Sequence, residues 1–539
     1  MKRLIFEIHR WGGIALALFM VLWFFSGLLI VFAEPPVPTR AQQLAHAESL
    51  KPEAGWLSAG AAWDASAEQR KEFLQLRAPA GKAANAPGVG AKKAVPAVNG
   101  FADARLVRRG GEPLWQVEDG RGQRFVLSAL NGELRAVDPE QARGIAQAWA
   151  ERDGVKSVNY VETLDKPAIL RNQENLRPFH RFAIDDGAGS ELLISAVTGE
   201  VVHASTRVQR GLYWAGNWVH LFRPLELAGA SNDTRVEVLK WAGFIATVAA
   251  LTGLIVGWLR WRPGWFGKRT YSEGRTQPYR ESWLKWHFWA GLLGGSFALF
   301  WAMSGFLNNN PWQLFSPANP GKEELARYIG SDAPAVARDW KPTALPANEG
   351  DTVELNWRRL GDAGVLLAHT RDARRIPQAV EGAGIAFDDA ALASAVRRIA
   401  GDTQIAEQTA LDEYDSYYYL RHHRDAADRP LPAVRIELAD QAGTSYYLDP
   451  QDGRLLLKTD HSREAYRWLY SALHHWDFGW LYQRPLWDGW MVLWVGFGLV
   501  LSVSSVVIGW RRLRHTFARK KQPHAVPQVP LELAENRAG

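Results

Sequence analysis

The feature that most constrains this chain is a long apolar run near its start. The 23 residues between Arg10 and Glu34 carry no charge. As a helix rising about 1.5 Å per residue, they would span roughly 34 Å, enough to cross a hydrocarbon core of about 30 Å. Further apolar runs lie between Lys240 and Arg260, after His287, and between Asp488 and Arg511. The sequence therefore predicts a membrane protein with four transmembrane helices.

The first run has a mid-chain counterpart. The stretch HRWGGIALALFMVLWFFSG starts at His9, and HFWAGLLGGSFALFWAMSG starts at His287. Between residues 9 and 29 the identical positions are His9, Trp11, Gly13, Phe19, Trp23, Ser26, Gly27 and Leu29. A cleaved signal peptide is the alternative for the first run, but its apolar stretch is longer than usual and a mid-chain copy cannot be one. We therefore expect a retained helix and a two-fold internal repeat.

The basic residues indicate the orientation of the spans. They cluster before the first run, between the second and third, and after the fourth: Lys2, Arg3, Arg10; Arg260, Arg262, Lys268, Arg269, Arg275, Arg280, Lys285; Arg511, Arg512, Arg514, Arg519, Lys520, Lys521. Because cytoplasmic flanks are enriched in Lys and Arg, all three clusters and both termini are predicted to be cytoplasmic. The long polar segments between the spans would then lie outside.

Composition narrows the chemistry. The 26 tryptophans gather at the ends of the apolar runs, which is typical of the membrane interface. The chain has no cysteine, which excludes disulfides, iron–sulfur ligation, thiolate zinc sites and covalently attached c-type haem. The formal net charge is +6, with basic residues at segment ends, so a lipid bilayer is favoured over nucleic acid as the partner.

The outer segments are predicted to be α+β. Turn pairs at Asn131-Gly132, Thr198-Gly199 and Asp452-Gly453 interrupt β-rich runs, and glycine supplies the positive φ that tight hairpins require. Helical stretches, PEQARGIAQAWAERD and DDAALASAVRRIAGD, precede two of these hairpins. Residues 78–100 are rich in Ala, Gly and Pro and are expected to form a flexible excursion. Each outer segment thus predicts a small α+β module.

Four histidines lie at span ends. His9 and His287 start the first and third spans, whereas His220 and His474 precede the second and fourth. A pseudo-two-fold bundle would bring His9 towards His287 at the cytoplasmic edge and His220 towards His474 at the outer edge. Two facing imidazoles suit axial ligation of a non-covalent b-type haem, and two haems would make an electron path across the bilayer. Interfacial anchoring by amphipathic rings is the alternative.

Small residues near these histidines have two interpretations. The glycines concerned are Gly12, Gly13, Gly291, Gly294 and Gly295. They would leave room for a macrocycle, or they would permit close packing of membrane helices.

Four further histidines are alternative or additional ligand candidates. His475 competes with His474, which we prefer because it follows the apolar pattern of Leu469 and Leu473. His180, His422 and His423 would form an outer metal or substrate site, or be solvated strand-end residues. No other metal ligand, nucleophile triad, phosphate loop or dinucleotide fingerprint is evident. No catalytic acid–base residue is assigned.

The chain resembles the PepSY-associated transmembrane family over nearly its whole length. The resemblance rests on HRWGGIALALFMVLWFFSGLL, HFWAGLLGGSFALFWAMSGF, RPLPAVRIELADQAGTSYYLDPQDGRLLL, LHHWDFGWLYQRPLWDGW and SVSSVVIGWRRL. It implies an iron-regulated bacterial inner-membrane protein similar to haem-containing reductases of periplasmic ferric siderophores or other Fe(III) chelates. It also implies His9, His220, His287 and His474 as haem ligands. The C-terminal tail carries no flavin module, so the electron donor would be the quinol pool or a cytoplasmic flavoprotein.

The resemblance completes the expected architecture, a four-transmembrane-helix bundle built from a two-fold internal repeat with two periplasmic α+β PepSY-like domains. The expected boundaries are transmembrane helices at 1–33, 236–258, 287–310 and 487–510, PepSY-like domains at 34–235 and 311–486, a cytoplasmic loop at 259–286 and a cytoplasmic tail at 511–539.

Two other functions fit the same architecture. The first is a haem-free siderophore or metal transport accessory, or a permease component. The second is a regulatory or protease-inhibiting membrane module, since PepSY domains also occur beside peptidases. Symmetric histidines would be surplus to the second function.

Overall fold

The computed structural model describes residues 2–33, 36–77, 101–119, 122–155, 157–170, 173–265, 267, 269–330, 335–343, 351–420 and 426–520. The predicted excursion at 78–100, His422 and His423, and residues 521–539 of the predicted tail lie outside these ranges.

The α-helices, in chain order, are α1 (Lys2–Phe32), α2 (Arg40–Ala45), α3 (Ala59–Ala65), α4 (Ala67–Arg77), α5 (Pro139–Arg152), α6 (Arg207–Tyr213), α7 (Pro224–Leu227), α8 (Asn232–Arg260), α9 (Ser282–Asn308), α10 (Lys322–Ile329), α11 (Ala335–Asp339), α12 (Asp389–Ala400), α13 (His461–Tyr466), α14 (Leu473–His475) and α15 (Leu486–Lys520). Single π-helical turns occupy Trp214–Trp218 and Arg467–Ala472. Short 3₁₀ turns lie at Glu174–Leu176, Ser272–Gly274, Pro311–Gln313 and Ala426–Asp428.

The strands are β1 (Phe101–Arg109), β2 (Glu112–Asp119), β3 (Arg124–Ser128), β4 (Val158–Leu164), β5 (Phe179–Ile184), β6 (Glu191–Ser195), β7 (Val201–Ser205), β8 (Thr352–Leu360), β9 (Ala363–Thr370), β10 (Arg375–Gln378), β11 (Ile405–Leu411), β12 (Ala433–Leu438), β13 (Ser445–Leu448) and β14 (Leu455–Thr459).

The described residues form two compact units. The helical unit takes them from Met1–Phe32, Trp214–Trp312 and Leu469–Gly539, and the β-rich unit takes them from Ala33–Tyr213 and Gln313–Trp468. This division assigns 214–235 and 469–486 to the helical unit, whereas the sequence assigned them to the outer domains. Both outer segments share one unit, which differs from the two separate domains that we expected.

The helical unit contains four helices that are long and apolar enough to cross a membrane: α1, α8, α9 and α15. α1 packs against α8 and α15, and α9 packs against the same two helices. A Cβ on Gly294 would lie 2.6 Å from Cβ of Phe497, and one on Gly295 would lie 2.9 Å from Cδ2 of Leu254. These two glycines therefore permit close packing between membrane helices, which is one of the two roles that the sequence predicted for them; the other was room for a macrocycle.

The β-rich unit is built on three antiparallel sheets. A six-stranded sheet has the order β10-β9-β8-β1-β2-β3, and the two four-stranded sheets have the orders β4-β5-β6-β7 and β11-β12-β13-β14. β1 pairs with β8 with Leu106 opposite Leu355, and both side chains are fully buried. Because β1 and β8 come from different outer segments, their pairing makes the two segments one unit.

The sequence-predicted helices and most of the predicted hairpins are confirmed. α5 and α12 occupy the two predicted helical stretches. Gly199 (φ 66°) and Gly453 (φ 69°) form the turns of the β6–β7 and β13–β14 hairpins. The Asn131-Gly132 turn is also present, but the chain returns only as a single bridge between Leu127 and Leu134. Along the chain a helix precedes each four-stranded sheet, since α5 comes before β4 and α12 comes before β11.

A buried carboxylate links the two outer segments inside the β-rich unit. Glu354 on β8 is only 4% exposed, and its Oε1 accepts a hydrogen bond from Nη2 of Arg40 at 2.5 Å. Burial alone would raise the pKa of Glu354, but the positive charges of Arg40 and Arg105 outweigh burial and lower this pKa to about 2. The ionised carboxylate is therefore a stabilising partner between residues that are distant in sequence.

We expect Glu354→Gln to lower the free energy of unfolding by roughly 3 kcal/mol at pH 7, because the variant leaves Arg40 without its anionic partner. The pKa of Glu354 is lower in the folded state than in the unfolded state, where it is about 4.3. The ionised carboxylate therefore stabilises the fold fully at pH values above about 4.3, and this stabilisation disappears as the pH falls towards 2. The difference between wild type and variant in denaturant unfolding, followed by tryptophan fluorescence, should shrink over that range.

The matched control is Glu68→Gln, because Glu68 forms an exposed i,i+3 pair with Lys71. It should change the free energy of unfolding by less than about 1 kcal/mol. Equal midpoints for the Glu354→Gln protein and the wild type at pH 7 would contradict a stabilising role for the buried ion pair.

Candidate functional site: two histidine pairs in the helical unit

The first pair joins α1 to α9. The ring centroids of His9 and His287 lie 6.1 Å apart, with their planes inclined by 40°. Nδ1 of His9 lies 3.0 Å from the carbonyl oxygen of Ala249 on α8. Nδ1 of His287 lies 3.2 Å from Oγ of Ser504 and 3.3 Å from Oγ of Ser505, both on α15. All four long helices therefore contribute to this pair.

A glycine makes room for His9. A Cβ on Gly253 of α8 would lie 2.6 Å from Cε1 and 2.9 Å from Nδ1 of the His9 ring. The imidazole consequently lies directly against the α8 backbone, at the height of the carbonyl to which it bonds. One helical turn further on, a Cβ on Gly257 would meet only Cδ1 of Leu292, at 3.8 Å.

The second pair joins two short helical segments that precede α8 and α15. His220 follows the π-helical turn at Trp214–Trp218, and His474 follows the one at Arg467–Ala472. The ring centroids of His220 and His474 lie 6.2 Å apart, with their planes inclined by 72°. Wider π-helical turns change the direction of the side chains that follow, and they are frequent at functional sites.

The nearest contacts of the second pair come from α1 and α9. Nδ1 of His220 lies 3.1 Å from Oγ of Ser26, and Nδ1 of His474 lies 2.9 Å from Oγ of Ser304. The ring that faces His220 is that of His474. The backbone carbonyl of the neighbouring His475 accepts a hydrogen bond from Nε1 of Trp487 at 2.8 Å. The structure therefore brings together the four histidines that the sequence singled out, in the expected combinations.

The separation of the rings suits one metal ion between each pair. Metal–imidazole bonds are about 2.0–2.1 Å long, so two rings on opposite sides of an ion have centroids roughly 6 Å apart. In all four rings the hydrogen bonds among described residues use Nδ1, which leaves Nε2 for a metal. A metal-bound imidazole commonly donates its other ring N–H to a protein oxygen, and each of these partners is an oxygen.

Two nitrogens per pair do not make a complete protein metal site. The described residues contain no group of three or more His, Cys, Asp or Glu side chains that could hold a metal ion. Tetrahedral zinc would require such a group. A haem iron instead takes four ligands from its porphyrin and needs only the two axial ones from the protein. The histidine pairs thus fit haem better than a bare divalent metal.

The two pairs are separated along the helices. On α1, Ser26, which contacts His220, comes 17 positions after His9, and Ser304 comes 17 positions after His287 on α9. At about 1.5 Å per residue this is roughly 25 Å, close to the thickness of a hydrocarbon core. Each pair therefore lies near one end of the helical unit.

His180, in the β-rich unit, differs from the four histidines of the helical unit. His180 is 4% exposed, with Nδ1 2.8 Å from Oγ1 of Thr163 and Nε2 2.8 Å from the carbonyl oxygen of Val137. Both ring nitrogens are occupied, so His180 is neither a solvated strand-end residue nor available to a metal. The sequence expectation for His180 is wrong because its β5 position faces the protein interior.

The contact residues of the histidines were not recognised in the sequence as a site. Ser26 and Ser304 are fully buried, and Nε1 of Trp23 and of Trp301 donates to the backbone oxygens of His220 and His474. The only signal for them was their identity between the two copies of the apolar run.

Comparison with known families adds one result. The family described as the PepSY-associated TM region matches residues 6–386, more than half of the chain. A comparison with curated proteins finds no match. The matched range includes His9, His220 and His287 but ends before His474.

We expect Gly253→Ala to destabilise the protein by about 1–3 kcal/mol, because the added methyl group overlaps the His9 ring in a packed interior. Gly257→Ala, on the same helix, has room for its methyl group and should be neutral or slightly stabilising, since alanine favours helix over glycine. Thermal unfolding of both variants in detergent gives the comparison. Indistinguishable melting temperatures would show that His9 is not held against α8.

Proposed function

Since the chain belongs to the PepSY-associated transmembrane family, we propose that it is a bacterial inner-membrane b-type haem protein that reduces Fe(III) chelates, such as ferric siderophores, on the periplasmic side. The observation that carries this proposal is the pair of ring separations, 6.1 Å for His9 and His287 and 6.2 Å for His220 and His474. A multi-pass membrane protein with one such pair near each end of its helices is suited to moving electrons across a bilayer.

The haem ligands in this proposal are the four histidines. Each has a hydrogen-bond partner at Nδ1, so Nε2 would be the nitrogen that binds iron. When bound, a haem iron held by two histidines exchanges single electrons between Fe(III) and Fe(II). The chain would contribute the histidine nitrogens that hold the group, the spacing between the two pairs and an apolar surrounding that excludes water.

The orientation follows from the charges. The basic residues flank the ends of α1, α8, α9 and α15 that lie near His9 and His287. His9 and His287 would therefore lie near the cytoplasm, and His220 and His474 near the periplasm, with both termini cytoplasmic. The donor, either a quinol from the membrane pool or a cytoplasmic flavoprotein, would lose the electrons that the chelate gains.

A two-fold internal repeat accounts for the matching contacts. The contacts of Trp23 and Ser26 with His220 recur in those of Trp301 and Ser304 with His474, through the same four atoms: tryptophan Nε1, serine Oγ, and the backbone oxygen and Nδ1 of the histidine. In the β-rich unit, a helix and a four-stranded antiparallel sheet occur once in each outer segment. We assign these two α+β modules as the periplasmic PepSY-like domains.

Reduction is a sufficient chemical step for iron release. Oxygen chelators hold Fe(III) more tightly than the softer Fe(II), so one electron weakens the complex without breaking a bond of the chelator. Each Fe(III) ion consumes one electron from the donor, and the chelator leaves unchanged. The step needs no protein acid or base, in keeping with a chain to which no catalytic acid–base residue is assigned.

The direct test is haem content. Protein purified in detergent from haem-replete cells should contain two haems per chain by the pyridine haemochrome assay, with the narrow α-band of low-spin iron after reduction. His287→Ala should lose one haem and retain the other, and His474→Ala should do the same at the other pair. A folded but colourless wild-type protein would contradict the proposal.

The neighbouring histidine provides the matched control. His475→Ala changes the same residue type one position away and should retain both haems, because the ring facing His220 is that of His474. Loss of a haem in the His475→Ala protein, with both retained in His474→Ala, would exclude His474 as the ligand.

A further inference from the structure

Two copies of one short sequence lie against the outer histidine pair. The pattern Trp-x-x-Ser-Gly occurs as WFFSG at 23–27 on α1 and as WAMSG at 301–305 on α9. The tryptophan, serine and glycine are identical in the two copies, whereas the two residues between them differ. The proposed function explains why histidines recur at 220 and 474, but it does not explain why this pattern recurs.

The three identical positions of the pattern all lie beside a histidine. In the first copy, Nε1 of Trp23 donates to the backbone oxygen of His220 at 3.1 Å, and Oγ of Ser26 lies 3.1 Å from the Nδ1 atom of the same residue. A Cβ on Gly27 would lie 3.6 Å from Cε1 of the ring, in ordinary van der Waals contact. The tryptophan and serine of the pattern thus contact the backbone and one ring nitrogen of the histidine, and the glycine lies beside the edge of the ring.

The second copy repeats these contacts almost atom for atom. Nε1 of Trp301 donates to the backbone oxygen of His474 at 3.0 Å, Oγ of Ser304 lies 2.9 Å from Nδ1, and a Cβ on Gly305 would lie 3.6 Å from Cε1. Because α1 holds His220 and α9 holds His474, the two rings are fixed by opposite walls of the helical unit.

The serine proton already has an acceptor. Oγ of Ser26 donates to the carbonyl of Trp23 at 3.2 Å, and Oγ of Ser304 donates to the carbonyl of Trp301 at 3.2 Å. A hydroxyl has one proton and two acceptor lone pairs. A hydroxyl whose proton stays on its own helix can act only as an acceptor towards the imidazole Nδ1–H, and in that tautomer the lone pair of the ring is on Nε2.

We infer that Ser26 and Ser304 are positioning residues that fix the Nδ1–H tautomer of His220 and His474 and thereby set the reduction potential of the outer haem. This inference rests on the proposed function. A hydrogen bond that withdraws Nδ1–H makes the imidazole a stronger donor to iron, which favours Fe(III) over Fe(II) and lowers the potential. Removing the hydroxyl should therefore raise it.

A third buried serine on a membrane helix makes the same hydrogen bond to its own helix. Oγ of Ser502 on α15 donates to the carbonyl of Leu499 at 3.1 Å, and the side chain is 3% exposed. Ser502 therefore matches Ser26 and Ser304 in burial and in its own-helix hydrogen bond, but no contact with a histidine is recorded for it among the described residues. Ser502→Ala is the matched control.

The same experiment can be made at the other pair, His9 and His287. Ser504 and Ser505 each donate to the carbonyl of Leu501 at 2.8 Å, and each lies within 3.3 Å of Nδ1 of His287. Replacing both should move the potential of the other haem, which assigns the two components of a redox titration to the two pairs.

The test is a potentiometric titration of the full-length protein in detergent, followed in the visible α-band, together with haem content. Ser26→Ala and Ser304→Ala should each raise one of the two midpoint potentials, by about 59 mV for a tenfold change in the ratio of oxidised to reduced iron. Ser502→Ala should change neither potential, and Ser504→Ala combined with Ser505→Ala should raise the other one. Selective loss of one haem in either outer-serine variant, with both retained in Ser502→Ala, would also support positioning.

Three results would overturn the inference. These are an unchanged potential in both outer-serine variants with both haems retained, a potential that falls, and a shift of equal size in Ser502→Ala. Wild-type protein that binds two haems while the serine variants behave in one of these ways would overturn only the positioning role. Wild-type protein without haem would overturn the proposed function and this inference together.

Discussion

The helical unit depends on how polar side chains are accommodated among apolar helices. An imidazole or hydroxyl at membrane depth is costly unless it is paired, because lipid offers no hydrogen bonds. Here both kinds of side chain have partners. Nδ1 of each histidine lies within hydrogen-bond distance of an oxygen on another helix, and the hydroxyls of Ser26 and Ser304 donate to a carbonyl of their own helix. The same contacts that stabilise the four histidines in the bundle all use Nδ1 and leave Nε2 of each ring outside the hydrogen bonds of the described residues. Stability and site geometry therefore have a common origin.

The β-rich unit is held together by a sheet that both outer segments share. Each outer segment supplies three strands to one six-stranded sheet, so neither segment has a complete sheet of this kind without the other. The centre of that sheet combines a fully buried apolar pair, Leu106 and Leu355, with the buried Glu354 carboxylate and its Arg40 partner. The apolar pair supplies burial, whereas the ion pair would be costly to separate because it would leave a charge in a poorly solvated place.

The sequence predicted local structure well and long-range pairing poorly. Uninterrupted apolar length and flanking basic residues were enough to locate the four long helices, because a membrane imposes a simple length requirement. The repeat also predicted which histidines come together. The sequence of β1 did not predict that β8 is its neighbour, because the alternation of apolar and polar residues specifies which face of a strand is buried and not which strand pairs with it. The burial of His180 and the roles of Ser26 and Ser304 likewise depend on contacts made far along the chain.

The measurement that tests the central claim most directly is electron transfer across a sealed bilayer. Proteoliposomes would contain a membrane-impermeant reductant inside and a ferric chelate with a ferrous-specific dye outside, and would be compared with protein-free vesicles. The account predicts Fe(II) formation outside that depends on wild-type protein and is lost in both His287→Ala and His474→Ala, because each removes one of the two pairs. Fe(II) formation no faster than in protein-free vesicles, by wild-type protein that contains both haems, would contradict it.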